Sequence, residues 1–299
     1  MVAAVVVLTL DDGRTEEVAL EQSDTVGISL FEDRNDIVAA RIPEGVTMIG
    51  DGAFEDCSSL VSVVIPESVT TIGRRAFDGC SSLVSVVIPD GVTTIELRAF
   101  EYCSSLVSVV IPDGVTTIGR YAFTGCSSLV SVTLSQGLTA IRAGAFEGCS
   151  SFASVTIPES VTTIEWSAFA NCSSLTRVSI VNPTAQIRPT SFFGCDSIDR
   201  VDIHDNVTVL FDPGVSKKIR EIYQEQPAWW HVFPDCPAAN IRWPTSVRER
   251  YEAGFVDRAT AISIMAALTG RGQRNSNLPR LPMEMVRNVA GLRAGDFAV

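Results

Sequence analysis

The chain of 299 residues is 46% apolar and 19% charged, a composition that excludes a disordered chain and allows a substantial buried core. Its formal net charge of −12 argues against a nucleic-acid backbone as the main partner. The charge is uneven, because residues 1–41 carry nine acids and three bases whereas residues 203–299 carry ten acids and twelve bases. The C-terminal part therefore differs in charge from the acidic residues that precede it.

Residues 1–41 are predicted to form a hairpin that caps one end of the fold. Two apolar runs, around Val5–Leu10 and Glu16–Leu20, are joined by an Asp-Gly pair that favours a tight turn. We expect no secretory signal, because no basic residue precedes the first apolar run and two aspartates interrupt it early. We also expect no transmembrane segment, since no apolar stretch is long enough.

A repeat with a period of 23 residues dominates the middle of the chain. The segment Cys80–Ile95 recurs without one change as Cys103–Ile118. The unit reads Ile-Pro-x-x-Val-x-x-Ile-Gly-x-x-Ala-Phe-x-x-Cys-Ser-Ser-Leu-x-Ser-Val-x, and seven full copies occupy residues 42–202. A partial eighth copy follows, so the repeat region spans residues 42–210. Cysteine keeps the step at positions 57, 80, 103, 126, 149, 172 and 195, and phenylalanine at 54, 77, 100, 123, 146, 169 and 192.

A fixed period of this length predicts a solenoid, in which each copy forms one coil and stacked coils share a core. Within a coil, alternation places Val63 inside and Ser62 and Val64 on the opposite face, and Pro66 ends the strand because it lacks an N–H. The spacing within residues 74–80, "RRAFDGC", predicts a short helical turn. The expected fold is an α/β repeat solenoid of short parallel strands joined by helical turns, with a small helical C-terminal region.

The Ile-Pro, Ile-Gly, Ala-Phe and Cys marks resemble those of the BspA-type leucine-rich repeats, over residues 42–202. The common leucine-rich signature has Asn or Cys a few residues after the strand. This chain has Glu67-Ser68 or Asp90-Gly91 there, and its Cys precedes the Leu by three residues, as in the BspA class. The resemblance implies a leucine-rich-repeat stack. Because the family is associated with surface adhesion and protein binding in microbes, it also implies an interaction role.

The seven cysteines of the repeat form one column, which we expect to be buried and reduced. Neighbouring Cα atoms would lie about 5 Å apart, within disulfide range, but equivalent side chains in a stack point in parallel. Zinc needs four converging ligands, which a straight column does not supply. Disulfides and a metal site remain the alternatives. Free thiols and the expected lack of a signal peptide favour a reducing, cytoplasmic location, with the cell surface as the alternative.

No residue pattern predicts catalysis, a cofactor or a metal site. The two histidines, His204 and His231, lie beside no arrangement that suggests a proton relay, and no GxGxxG, P-loop or HExxH motif occurs. An acidic column raises the alternative of a calcium edge, but calcium takes roughly six to eight oxygens and one carboxylate per coil is few, so a solvated acidic rim is preferred. The column comprises Glu44, Glu67, Asp90, Asp113, Glu159 and Asp205.

Two surfaces are candidates for partner binding. The positions after the second Ile of the unit vary most between copies and should stack into a surface column, which we name the variable strip. Arginine, tyrosine and tryptophan, which are favoured at binding hot spots, collect there, although relaxed drift on a solvated face is the alternative interpretation. The variable strip comprises Arg74, Arg75, Arg98, Tyr102, Arg120, Tyr121 and Trp166. The strand face, which is flat and half apolar, comprises Ser62, Val64, Ser85, Val87, Ser108 and Val110.

Residues 211–299 are expected to form a mainly helical cap or tail. Residues 215–225 have amphipathic spacing, and residues 246–269 are a second helical stretch that Gly270 ends. The segment beginning Leu281-Pro282 weakly resembles the opening of an F-box, a family that docks a ubiquitin-ligase adaptor, although a plain capping helix is preferred.

The sequence as a whole predicts a non-enzymatic protein-interaction or scaffold module. Its partner is an unknown protein, with no nucleic acid and no membrane span. A ubiquitin-ligase substrate adaptor that uses the F-box-like tail is one alternative function. A cell-surface adhesin, which the family resemblance implies, is the other.

Overall fold

The computed structural model of the protein describes residues 4–22, 24–188, 190–203 and 207–209. All of them lie in the first of the two units into which the chain divides, residues 1–236. The helices and the F-box-like segment predicted within residues 211–299 lie outside the described residues. The same holds for both histidines, for Asp205 of the acidic column and for Cys236.

The described residues form a β-solenoid of about eight turns. Each coil contributes one strand to each of two sides, and most strands of neighbouring coils pair in parallel, one period apart. The first side contains β1 (Val5–Leu10), β2 (Thr15–Ala19), β4 (Ile37–Arg41), β6 (Ser62–Val64), β8 (Ser85–Val86), β10 (Ser108–Val110), β12 (Ser131–Thr133), β14 (Ser154–Ile157), β16 (Arg177–Ile180) and β18 (Arg200–Asp202). The second side contains β3 (Thr25–Val26), β5 (Met48–Ile49), β7 (Thr71–Ile72), β9 (Thr94–Ile95), β11 (Thr117–Ile118), β13 (Ala140–Ile141), β15 (Thr163–Ile164), β17 (Gln186–Ile187) and β19 (Thr208–Val209). On both sides the pairing is interrupted once, between β12 and β14 and between β11 and β13, so each side consists of two sheets.

The N-terminal hairpin closes one edge of the first side. Strand β1 pairs antiparallel with β2, and its other edge pairs antiparallel with β4. The hairpin therefore satisfies backbone groups of β4 that no preceding coil would reach. The second side receives no such cover, because its sheet ends at β3.

The prediction of helical turns is wrong. None of the described residues is helical, so over these ranges the fold is an all-β solenoid and not the expected α/β solenoid. The physical reason lies in the direction of the backbone N–H groups of the turn segments. Gly52 N donates to Arg74 O at 2.7 Å and Phe54 N to Ala76 O at 2.8 Å, both in the next coil. The alternate N–H groups, such as those of Ala53 and Glu55, bond to the third preceding carbonyl and close turns within their own coil. The consecutive bonds to the fourth preceding carbonyl that define an α-helix therefore cannot form.

One further coil precedes the seven copies. Residues 24–41 lack the Ile-Pro and Cys marks of the repeat, yet β3 pairs with β5 and β4 with β6 as in later coils. Phe31 stacks on Phe54 with ring centroids 4.9 Å apart. Ser29 and Asp33 take positive φ at the positions where later coils also do. The segment predicted as a hairpin cap therefore also contains a coil.

The core is a continuous stack of phenylalanine rings. Phe123 has no exposed surface, and its ring centroid lies 5.2 Å from that of Phe100 and 5.5 Å from that of Phe146. The rings are nearly parallel, with interplanar angles of 4° and 3°. The stack comprises Phe31, Phe54, Phe77, Phe100, Phe123, Phe146, Phe169 and Phe192.

The cysteine column is buried and free of disulfides, as predicted. Each Sγ donates a hydrogen bond to the carbonyl oxygen of the phenylalanine in the preceding coil, for example from Cys80 to Phe54 at 3.1 Å and from Cys103 to Phe77 at 3.2 Å. Burial raises the pKa of the Cys57 thiol to about 12 and lifts those of the inner thiols as well. The column therefore holds protonated hydrogen-bond donors and not nucleophiles or thiolate ligands.

Candidate functional site

The variable strip runs along the corner that follows the second side. Arg74, Arg120 and Trp166 occupy one column, Arg75, Arg98 and Tyr121 the next, and Tyr102 a third. The side chains of Arg74 and Arg120 are each 63% exposed, and Tyr102 is 58% exposed. Tyr121 and Trp166 are half-buried. The most accessible part of the strip is thus cationic and aromatic.

Four members of the strip have a left-handed backbone. Their φ angles are 52° at Arg75, 59° at Arg98, 57° at Tyr102 and 58° at Tyr121. A residue with a Cβ in this region costs about 1–2 kcal/mol. Other coils are left-handed at the same positions and hold glycine or a small polar residue there. The glycines are Gly52, Gly79, Gly125, Gly144, Gly148 and Gly194, and the polar residues are Ser29, Asp33, Asp56, Ser167, Asn171 and Thr190. The strip therefore keeps large side chains where glycine would relieve the backbone strain.

Two of these glycines make room for the tyrosines of the strip. A Cβ placed on Gly125 would lie 2.6 Å from Cδ1 of Tyr102, which is closer than real Cβ atoms approach. A Cβ on Gly144 would overlap the Tyr121 ring in the same way. Each ring therefore lies against the glycine of the following coil, and this packing fixes its position.

The arginines of the strip make two kinds of contact. The Arg98 guanidinium lies over the Tyr121 ring, with Cζ 5.6 Å from the ring centroid, whereas Trp166 is faced by Arg188, which belongs to no predicted set. Arg74 and Arg120 make long exposed ion pairs with Glu96 and Glu165, at 3.7 and 3.8 Å. Such pairs contribute roughly 0–1 kcal/mol, so these two side chains are available to a partner.

A row of carboxylates beside the strip was missed by the sequence reasoning. Glu55, Asp78 and Glu101 stand one period apart in three successive coils, and Glu147 continues the row two periods later. Arg75 pairs with Glu55 at 3.0 Å, and Arg98 pairs with Glu101 at 3.3 Å. The 23-residue step was the signal that could have revealed the row. The prediction of a helical turn for this segment gave no reason to expect these side chains to form a row.

Burial and repulsion from neighbouring carboxylates disfavour the charged forms of Asp78 and Glu101 in this row. Burial, together with the charges of Glu101 and Glu55, raises the pKa of Asp78 to about 7, while Arg75 opposes the rise. Burial also raises the pKa of Glu101, and Arg98 and Arg75 oppose it. Within the described residues, Glu101 Oε2 is buried without a hydrogen bond, although Arg98 pairs with it. The strip arginines therefore offset a repulsion that the row would otherwise exert on the fold.

We expect Asp78→Asn to stabilise the protein at pH 8 and to change little near pH 4. In the folded state the pKa of Asp78 is about 7, above its ordinary value of 3.8, so the native state binds this proton more tightly than the unfolded chain does. The free energy of unfolding of the parent therefore falls as the pH rises from about 4 to about 7. The variant has no carboxyl at this position, so its free energy of unfolding falls less over the same range. The gain at pH 8 should be on the order of 1 kcal/mol, because Arg75 and solvent offset part of the shift.

Urea unfolding at pH 4, 6 and 8 measures this difference for Asp78→Asn. The matched control is Asp90→Asn, an exposed carboxylate, which should move the free energy of unfolding by less than about 0.5 kcal/mol. The same pH slope in the Asp78 variant and the parent would contradict the electrostatic interpretation of the row.

The strand face is exposed as its alternation predicts. Val64, Val87 and Val110 are 50%, 77% and 63% exposed, whereas Val63 and Val109 are buried. The serines that alternate with the exposed valines also face solvent. This face is flat and uncharged over β6, β8 and β10, so it offers a partner apolar contact without a charged anchor.

The acidic column lies at the surface of the coils that the structure describes. Glu44, Glu67, Asp90, Asp113 and Glu159 are all exposed. Over the described ranges, no group of three or more His, Cys, Asp or Glu side chains could hold a metal ion. The same ranges contain no helix that could span a bilayer.

Two strand sides, a phenylalanine stack and a hydrogen-bonded cysteine column define the protein as a leucine-rich-repeat solenoid. The family model of the BspA type Leucine rich repeat region matches residues 24–119 and 95–213, with six copies. The match thus extends over residues 24–213, more than half of the 299 residues, and the chain belongs to the BspA-type leucine-rich repeat family. It also includes the coil at residues 24–41.

Solved structures of bacterial leucine-rich repeat proteins are similar to this chain. One from Bacteroides ovatus is 24% identical, with a TM-score of 0.45, over 70% of this chain and 75% of that one. A leucine-rich cell surface protein from Faecalibacterium prausnitzii is 27% identical, with a TM-score of 0.40, over 64% of each chain. A leucine-rich repeat protein from T. pallidum is 27% identical, with a TM-score of 0.41, over 62% of this chain and 83% of that one. Comparison with curated proteins gives no match.

Proposed function

We propose that the protein is a non-enzymatic protein-interaction or scaffold module that binds its partner through the variable strip. The observation that carries this proposal is the left-handed backbone at Arg75, Arg98, Tyr102 and Tyr121. In the other coils the same left-handed positions hold glycine or a small polar residue, so only the strip places Arg and Tyr side chains there. Strain held at exposed side chains is typical of binding surfaces.

The chemistry of the strip specifies the kind of partner. Arg74 and Arg120 present exposed positive charge in a chain of net charge −12, and Tyr102 presents an exposed aromatic ring between them. A complementary surface therefore carries carboxylates around an apolar patch. Binding should weaken as the ionic strength rises from about 0.05 to about 0.5 M, because exposed charge contacts are screened.

The free thiols bear on where the module works. Seven cysteines lie in one column without a disulfide, which supports a reducing, cytoplasmic location over a cell-surface adhesin. The alternative of a ubiquitin-ligase adaptor depends on the F-box-like tail, and nothing in the described residues favours it.

A triple variant tests the strip with residues that the same columns hold elsewhere. Arg74→Ala and Arg120→Ala copy Ala143, and Tyr102→Asn copies Asn171, which also has positive φ. All three positions are exposed, so we expect the free energy of unfolding to change by about 0.5 kcal/mol or less at each. Affinity capture with the full chain, read by mass spectrometry, should lose the partner with the triple variant.

The matched control replaces the strand face. Val87→Thr and Val110→Thr copy Thr133, the residue at the equivalent position of a later coil. We expect this control to capture the same proteins as the parent. If the control loses the partner and the strip variant keeps it, the strand face is the binding site and the proposal fails.

A further inference from the structure

The N-terminal end of the solenoid is only half covered. The β1–β2 hairpin completes the first side, whereas no strand of the described residues pairs with the outer edge of β3, which ends the second side. The turn segment that follows β3, through Glu32, belongs to the same first coil, and no described coil precedes it. We name this surface, residues 27–32 together with Met48 of the next coil, the open end.

The hydrogen-bond pattern of the inner coils shows what the open end is missing. In the first coil, Ser29 N donates to Asp51 O and Phe31 N to Ala53 O, both at 2.9 Å, and the pattern repeats along the solenoid. A preceding coil would therefore donate to the carbonyls of the first coil that are equivalent to these acceptors. Those carbonyls belong to Ile28, Leu30 and Glu32, and within the described residues none of them accepts a hydrogen bond.

One backbone donor at the open end is also unused. Gly50 N, at the equivalent position of the next coil, donates to Val26 O at 2.9 Å. Gly27 N would make the same bond to a preceding coil, but it donates to no group in the described part of the chain. The open end therefore offers three acceptors at alternate residues and one donor. The acceptors lie in the turns that follow β3, where Ser29 and Asp33 are left-handed, and the donor Gly27 N directly follows β3. A peptide can approach this set as a strand beside β3, since the N–H groups of its alternate residues point to one edge.

The side chains around these backbone groups are apolar and acidic. Ile28, Leu30 and Met48 are 75%, 36% and 40% exposed, and they line a groove of about 690 Å³. Two carboxylates, Glu21 and Asp51, also line the groove, and Asp24, Glu32 and Asp33 are close to its lining residues in the sequence. Among the described residues none of these five carboxylates forms an ion pair.

We propose that the open end binds an extended, basic segment of a partner protein that adds as a strand to the first coil. Its backbone would satisfy the three carbonyls and Gly27 N–H, its alternate apolar side chains would cover Ile28, Leu30 and Met48, and its Lys or Arg side chains would face the carboxylates. A second copy fits less well, because residues 1–41 of each copy carry a charge of −6. This surface is separate from the strip residues replaced above, so either proposal can fail alone.

The test uses the full chain and the acetylated, amidated heptapeptide Lys-Val-Lys-Val-Lys-Val-Lys as the probe. Two counterparts carry the same charges and side chains but are N-methylated either at the three valine amides or at the amides of the three lysines that follow a valine. Strand addition uses one edge of the peptide, so one counterpart should bind about tenfold more weakly, or worse, and the other should bind like the parent peptide. Isothermal titration calorimetry measures the three affinities. Equal effects of the two methylations, or no binding by the parent peptide at about 1 mM, would overturn the proposal.

Variants of the chain locate the site. Ile28→Ala, Leu30→Ala and Met48→Thr copy Ala143, Ala53 and Thr71 of equivalent positions, so the combined variant removes the apolar contact with residues that the coil tolerates. We expect it to weaken peptide binding about tenfold, whereas the strip variant binds the peptide like the parent. Unchanged affinity in the open-end variant would overturn the proposal. So would a parent dimer that the open-end variant converts to a monomer in sedimentation, because the occupant would then be a second copy.

Discussion

Phe123→Ala should destabilise the protein by about 3–5 kcal/mol, the cost of the cavity that a fully buried aromatic ring leaves behind. The ring has no exposed surface and stacks on Phe100 and Phe146 with centroids 5.2 and 5.5 Å away. Both neighbours lose a near-parallel partner, and each such aromatic pair contributes about 0.5–1.5 kcal/mol beyond its buried area. The flanking coils cannot close the gap easily, because backbone hydrogen bonds hold them at a fixed spacing. Towards Phe100 these are the parallel pairs β9–β11 and β10–β12, and towards Phe146 they are turn contacts such as Phe123 N to Ala145 O at 2.9 Å.

Phe193→Ala is the matched control for this variant. The same side chain is removed, but Phe193 is 53% exposed and lies outside the stack. It should therefore cost less than about 1 kcal/mol. Urea unfolding of parent and variants, followed by circular dichroism, gives the comparison. Similar losses for the two variants would mean that the phenylalanine stack does not form the core.

The period alone predicted which residues fill this core. Phe123 and Cys126 recur at every step of 23 residues, and an invariant apolar position of a solenoid is expected to face the shared interior. Alternation around Val63 and the strand-ending proline likewise predicted the strands of the first side and the exposure of Val87. These inferences depend on side-chain volume and polarity, which the sequence states directly.

The local path of the turn segment could not be predicted in the same way. Alanine, phenylalanine and cysteine at spacings of one helical turn suit a helix, but the choice was made by hydrogen bonds to the next coil, such as Phe54 N to Ala76 O. No single copy of the repeat contains that partner. The coil at residues 24–41 was not predicted, because its backbone follows the hydrogen-bond pattern of the repeat while its sequence lacks the Ile-Pro and Cys residues that identify the other copies.

The candidate site was predicted in part. The variation between copies singled out the strip residues, but it did not show that Arg98 and Tyr121 touch, that four backbones there are left-handed, or that a carboxylate row lies beside them. The row matters for how the strip is tested, because Arg98 is an anchor for Glu101 as well as a candidate contact. Replacing Arg98 would lower stability as well as any binding, and the two effects could not be told apart.

Arg98→Ala should therefore destabilise the protein by about 2 kcal/mol at pH 8, because it leaves the buried Glu101 carboxylate with Arg75 as its remaining counter-charge. The cost lies below that of a fully buried pair, since the Arg98 side chain is 38% exposed. Glu101 is 5% exposed, its Oε2 accepts no hydrogen bond in the described part of the chain, and the Arg98 guanidinium lies 3.3 Å away. Burial already holds the pKa of Glu101 above its ordinary value, and Arg98 opposes that rise. Without Arg98 the pKa rises further, so the loss of stability appears above the folded pKa and fades as Glu101 becomes protonated near pH 4.

Two further variants distinguish the Arg98–Glu101 ion pair from the effect of removing any surface arginine. Arg74→Ala removes an arginine that is 63% exposed and 3.7 Å from its partner, and it should cost less than about 1 kcal/mol at either pH. Glu101→Thr copies Thr124, the residue at the equivalent position of the next coil, and should restore most of the stability of Arg98→Ala by removing the unpaired charge. Urea unfolding at pH 4 and 8 gives the coupling energy. If Glu101→Thr fails to rescue Arg98→Ala at pH 8, Arg98 acts through its own packing against Tyr121, and the carboxylate row has no part in holding the strip.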